Sequence, residues 1–157
     1  MLIVIHSGQT GVERGAHRAA VAAGIQLAGF SPLDGRDELG PLPEAVSQYL
    51  TPCFERGSRP PVRANVALAS GLLVVVPDAR IADKFTGIGV TLKIARELAV
   101  PYRIADPSTN SDELVAWARS LPETSGSVRL MVTGPRETRW ADGEKVAWQI
   151  VAAIGLT

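Results

Sequence analysis

Five short apolar runs constrain this chain more than any other feature. They are LIVI (2–5), IQLAGF (25–30), GLLVVV (71–76), PYRIA (101–105) and VRLMV (128–132). Most are continuously apolar instead of alternating, which is the pattern of strands covered on both faces. Segments of helical periodicity lie between them. Val12, Ala16, Ala19, Ala20 and Ala23 form a stripe of small residues that Gly24 ends, so this helix should lie close on a sheet. Residues 60–69 open on prolines, which suit a first helical turn. Residues 88–99 put Val90, Ile94 and Leu98 on one face, and residues 111–121 start at Ser111 as the expected N-cap. Residues 139–154 carry an apolar stripe of Val146, Ala147, Ile150, Val151 and Ile154. Strand then helix, repeated five times, predicts an α/β fold with a five-stranded, mainly parallel sheet and helices on both faces. One domain over residues 1–157 is expected. The long stretch without periodicity, residues 31–59, is expected to be a lid-like loop.

Charge narrows the function classes. Lys and Arg total 16, Asp and Glu total 16, and the formal net charge is zero. A general nucleic-acid or membrane-surface binder would need a basic excess. The single cysteine, Cys53, cannot form an internal disulfide, and MLIVIH lacks the basic start of a signal peptide. A cytoplasmic location is therefore expected. No His/Cys cluster has metal-ligand spacing, so no protein-bound metal is expected.

In a parallel sheet of this kind ligands collect at the carboxyl ends of the strands. Four segments arrive there. The first, HSGQTGVERGAH (6–17), is a glycine-rich strand-to-helix turn holding Ser7, Gly8, Gln9, Thr10, Gly11 and Arg14. A helix N-terminus offers unpaired N–H groups to an anion. The stretch is not a Walker loop, because no Lys follows Gly11, and its glycine spacing is not the dinucleotide fingerprint. The bland alternative is a turn and nothing more. The second, KFTGIGVT (84–91), repeats the theme with Thr86, Gly87, Gly89 and Thr91, where Thr86 alone could be an N-cap. The third, VTGPRETRW (132–140), puts Arg136 after a Gly-Pro turn, where it can grip phosphate or pair with a surface acid. The fourth, PLDGRDELGPLP (32–43), carries Arg36 among Asp34, Asp37 and Glu38; Arg36 either points into the crevice or is neutralised locally.

SGQTGVERGAHRAAVAAGI, GFSPLDGRDELGPLPE, YLTP, TGIGVT and TGPRET, in that order along the chain, resemble the putative molybdenum carrier family, the molybdenum-cofactor carrier proteins. That family lies in the Rossmann-like SLOG superfamily, which also holds phosphoribohydrolases of the lonely-guy type. The resemblance runs from residue 1 to about residue 142. Ser7 and Glu13 stand where the family tends to have Gly and Asp, and SPLDGR stands where it tends to have Cys-Pro-Lys-Gly-Arg. The resemblance implies a Rossmann-like three-layer sandwich. It also implies a ligand pocket made by Gly8 to Gly11, Arg36, Thr86 to Thr91 and Arg136, with molybdenum cofactor as one form of bound cargo.

Three functional readings follow. The first is a binding or carrier protein for a small anionic, nucleotide- or pterin-like ligand. The second is a nucleotide N-glycosidase. In lonely-guy enzymes the glycine motif runs into a catalytic Glu about one turn into the helix, but the first acid in TGIGVTLKIARE is Glu97, more than two turns in. Glu13, close to the first glycine loop, is the substitute candidate. The third is an oligomeric interaction protein without a ligand. A homo-oligomer is expected in any case: Trp148 points roughly 130° away from the apolar stripe of its helix, where a partner subunit would cover it, the alternative being a lone surface aromatic.

Overall fold

The computed structural model describes residues 1–156. All five predicted runs contribute strands of one parallel sheet: β1 (Leu2–Ile5), β2 (Gln26–Ala28), β7 (Gly71–Val75), β8 (Tyr102–Ala105) and β9 (Val128–Thr133). Their order across the sheet is β2-β1-β9-β7-β8, with every neighbouring pair parallel. The principal helices are α1 (Val12–Ala23), α3 (Arg59–Leu68), α4 (Thr86–Glu97), α5 (Ser111–Ser120) and α6 (Gly143–Gly155).

The continuous apolarity of the strands has a direct structural cause. Leu73, Val75, Leu130 and Val132 point into a core shared with α1, α5 and α6. Their neighbours Leu72, Val74 and Met131 point into a second core shared with α3 and α4. Each face of the sheet is covered, so neither parity of side chain can be polar. The result is the three-layer α/β sandwich. Its small residues let α1 approach α6 very closely: a Cβ on Gly15 would meet the Glu144 backbone.

The strand order has a simple interpretation. If β9 and α6 preceded β1, the same sheet would read 3-2-1-4-5, the doubly wound order. The chain here runs that order from its second strand and supplies the first strand last. The switch point, where doubly wound folds gather ligands, therefore falls between β9 and β7.

Several expectations need correction. IQLAGF is two strands, β2 and β3 (Phe30–Ser31), broken at Gly29. Gly29 has φ 139°, and a Cβ there would collide with the His6 carbonyl oxygen. The 31–59 region is more structured than its sequence suggests. It contains a tight antiparallel pair, β4 (Arg36–Asp37) with β5 (Gly40–Pro41), a helical turn α2 (Glu44–Ser47), and β6 (Thr51–Pro52), which pairs parallel with β3. Asn110, not Ser111, caps α5, accepting from the Asp112 and Glu113 amides. The last helix begins at Gly143, because residues 136–140 form a turn in which the Arg139 and Trp140 amides both donate to the Arg136 carbonyl. Among the described residues no helix is long and apolar enough to cross a membrane.

Candidate functional site

A cleft of about 360 Å³ opens at the carboxyl edge of the sheet, at the switch point. Its walls come from the loops after β1 and β9, from α3 and from the start of α4. Ser7, Gln9 and Glu13 line one side, Thr86, Gly87 and Thr91 another, and Thr133 to Arg136 with Arg139 a third. Pro61, Val62 and Phe85 add an apolar flank, with Ser58 beside them. The two glycine-rich helix openings do face one crevice.

They do so in different ways. In the first opening several backbone amides are used internally. The Gly8 amide donates to His6 Nδ1 at 2.9 Å, the Thr10 amide to Gln9 Oε1 at 3.0 Å, and the Val12 amide to the Pro135 carbonyl at 3.4 Å. Gly11 has φ 77°, and a Cβ there would sit 2.5 Å from the Pro135 oxygen, so this turn is pressed against the β9–α6 loop. Gly8, Thr10, Gly11 and Arg14 do not line the cleft; the loop presents Ser7, Gln9 and Glu13 instead.

The second opening is bare. Phe85 stands at the N-cap of α4, and no side chain caps the helix. Thr86 sits inside the first turn and is not the cap that its sequence position suggests. The Thr91 hydroxyl turns back to the Gly87 carbonyl at 2.9 Å. Gly89 lies outside the cleft lining. The positive end of a 12-residue helix thus faces the cavity at Thr86 and Gly87.

The arginines divide. Arg136 lines the cleft with about half of its side chain exposed, and Arg139 lies beside it. Arg36 does not reach the cleft. It is exposed on β4, and its amide is bonded to Asp34. Its neighbours turn inward instead. Asp37 accepts from Arg14 at 2.9 Å, while Glu38 binds Thr10, Thr138 and Arg136. Glu38 and Arg139 were missed in the sequence. Glu38 gave no signal beyond being one of three acids near Arg36, whereas Arg139 stands three residues beyond Arg136, a spacing at which helix-like turns align side chains.

Glu13 forms part of the cleft floor. Its Oε1 accepts from the Ser7 amide and hydroxyl, both at 2.7 Å, and its Oε2 from the Thr133 hydroxyl at 3.2 Å. Burial pushes the carboxyl above the usual carboxylate range, against the opposing pull of the Ser7 and Thr133 hydrogen bonds. Behind it two histidines form a chain. The Gly8 amide fixes His6 Nδ1 as an acceptor, so His6 Nε2 carries the hydrogen and donates to His17 Nδ1 at 3.0 Å. His17 Nε2 then donates to the Ala45 carbonyl at 3.2 Å. Both rings are neutral in this arrangement. Burial, reinforced by the nearness of a second titratable ring at His17 and of the Arg14 charge, drives His6 down to about 3.

The strand order and the four converging segments can be set against known families. A model of the circularly permuted YpsA SLOG family matches residues 4–154. The chain belongs to that family. The permuted order is the one in the sheet, with β9 and α6 last in sequence and first in the doubly wound plan. The resemblance read from the motifs is therefore supported. The fold is also that of a crystal structure named Putative molybdenum carrier protein from Syntrophus aciditrophicus SB, with a TM-score of 0.81. The two chains are 19% identical over 98% of this chain and 93% of the other. No curated protein matches this member of the SLOG family.

Proposed function

We propose that this protein is a binding or carrier protein for a small phosphorylated ligand of nucleotide- or pterin-like type, held in the switch-point cleft. The observation that carries this reading is the meeting of an uncapped helix N-terminus at Thr86 and Gly87 with two arginines, Arg136 and Arg139, in one cavity. Backbone N–H groups and guanidinium groups both suit phosphate oxygens. The apolar flank at Pro61, Val62 and Phe85 suits a ring. The structural neighbour is named a molybdenum carrier protein, which adds a molybdenum-bearing molecule such as molybdenum cofactor to our candidate cargoes. Among the described residues no group of three or more His, Cys, Asp or Glu is placed to hold a metal ion, and Cys53 faces a separate groove. A molybdenum-bearing ligand would therefore be gripped through its organic and phosphate parts. Native mass spectrometry of the purified protein tests the reading: a co-purified phosphorylated small molecule is expected, lost on Arg136→Ala. Homo-oligomerisation belongs to the same proposal, with Trp148 42% and Phe54 97% exposed as candidate contacts. Sedimentation of Trp148→Glu against the unaltered protein tests it.

Glu13 favours a second reading, nucleotide N-glycosidase activity. A buried carboxyl with a raised pKa on a cleft floor has the character of a general acid. Release of free base from a nucleoside monophosphate, abolished by Glu13→Gln, would support it; no release would leave the carrier reading alone.

A further inference from the structure

Glu38 sits in a cradle of donors that would fit an anion from outside. Its Oε1 accepts from the Thr10 hydroxyl at 2.5 Å and the Thr138 amide at 3.2 Å. Its Oε2 accepts from the Thr138 hydroxyl at 2.5 Å and lies 3.2 Å from Arg136 Nε. Two hydroxyls, one amide and one guanidinium thus converge on a single carboxylate. Burial alone would raise this carboxyl, but the Thr10 and Thr138 bonds and the Arg136 charge outweigh it and hold the group below its ordinary value. The same set of donors suits a phosphate monoester or a ligand carboxylate. Arg136 belongs to both the cradle and the cleft.

The segment that carries Glu38 is held mainly by exchangeable contacts. The β4–β5 ladder has two residue pairs, and Leu33 and Leu39 on either side are exposed. Its fastenings are polar: Glu38 in the cradle, the Glu38 amide to Gln9 Oε1, and Asp37 to Arg14. The last is imperfect. Arg14 Nη2 serves both the Gly8 carbonyl and Asp37, while Arg14 Nε is buried without a partner. Apolar anchoring resumes after the hairpin, with Leu42 half-buried against Gly8 and with the buried Val46 and Leu50. Residues 34–41 can therefore lift by exchanging hydrogen bonds, without opening a core.

We propose that Glu38 is a displaceable internal anion. It latches the β4–β5 hairpin beside the cleft and yields Arg136, Thr138 and Thr10 to the anionic end of an incoming ligand. This rests on the anionic-ligand reading above, and it goes further by assigning a built-in competitor to that site. Closure then reports an empty cradle, and ligand entry frees the hairpin.

The test uses inorganic phosphate as the probe, with calorimetry for affinity and amide hydrogen exchange for the hairpin. Glu38→Gln should bind phosphate about tenfold tighter than the unaltered protein, since it removes a competing charge-assisted set of bonds. Phosphate should speed exchange at residues 36–41 of the unaltered protein severalfold. Equal phosphate affinity in both proteins, with hairpin exchange unmoved, overturns the latch and leaves the anionic cleft standing. Phosphate binding to neither protein overturns the cleft reading and the latch together. Glu38→Asp guards against misfolding of the amide variant. It keeps the charge but withdraws the carboxylate by one methylene, so hairpin exchange without phosphate should rise, and unchanged exchange there also overturns the latch.

Discussion

The two glycine-rich helix openings, at α1 and at α4, have similar sequences and different surroundings. Both put glycines ahead of an apolar helical stripe at a strand end. At α1 the glycines are structural. Gly11 lies against the Pro135–Arg136 backbone, and the amides of Gly8, Thr10 and Val12 have internal acceptors. At α4 a Cβ on Gly87 or Gly89 would meet nothing within 4 Å, although neither helix has a side-chain cap. A glycine-rich opening marks an anion site only where the rest of the fold leaves its amides unclaimed.

The largest effect expected from this contrast is on stability. Gly11→Ala forces a side chain into a positive-φ position and against backbone, and it should destabilise the protein by about 3 kcal/mol or more. Thermal denaturation measures it. A Gly11→Ala protein with unaltered stability would erase the distinction between the two openings.

The next effect concerns the histidine pair, of which His6 claims the Gly8 amide. His6 has an ordinary pKa of 6.5 and a folded value of about 3. The neutral ring is required by the fold, so its contribution to stability is complete above 6.5 and declines as pH falls from 6.5 towards 3. His6 should cost about 2 kcal/mol by pH 5, at ~1.4 kcal/mol per pH unit, and His17, also lowered by burial, adds in the same direction. Glu13 has the opposite sign: its raised pKa makes stability fall as pH rises above its ordinary value. Urea denaturation in a Glu13→Gln background isolates the histidines. A flat stability profile between pH 6.5 and pH 5 would mean that His6 is not locked as the acceptor of the Gly8 amide.

Binding separates the openings more finely. Arg136→Ala should weaken phosphate or nucleotide binding roughly 10- to 100-fold, with Arg36→Ala as the control that changes little. In an amide NMR titration with phosphate, shifts should be larger at residues 86–88 than at residues 8–12. The reverse would return the anion site to the first loop. The smallest effect is at Gly89, which is helical and unobstructed. Gly89→Ala should stabilise the protein by about 0.5–1 kcal/mol in thermal melts.

The ladder of strands was legible because burial on both faces leaves a local mark. A run such as GLLVVV can only be a covered strand or a buried helix segment, and its length and flanking residues decide between them. The cleft was half legible. Ser7, Gln9, Thr86, Gly87, Thr91 and Arg136 were selected by their position at strand ends, and they do line one cavity. Arg36 was selected on the same logic and lies outside it, because a two-pair hairpin turns Asp37 and Glu38 inward and leaves Arg36 in solvent.

By itself, then, the amino-acid sequence determined the strands, the main helices and the sheet's two covered faces, since those depend on side chains within a few residues of one another. It also brought the two glycine openings and Arg136 to one edge, because right-handed crossovers between parallel strands allow little else. Only the tertiary structure decided which amides remain available. That depends on acceptors from distant segments, such as Pro135 for Val12 and Glu38 for Thr138, which lies 100 residues away. The same holds for Gly29, whose need for a missing side chain arises from the carbonyl of His6 just past the end of β1. Hydrogen-bond partners at such separations are chosen by packing geometry, and no local pattern encodes them.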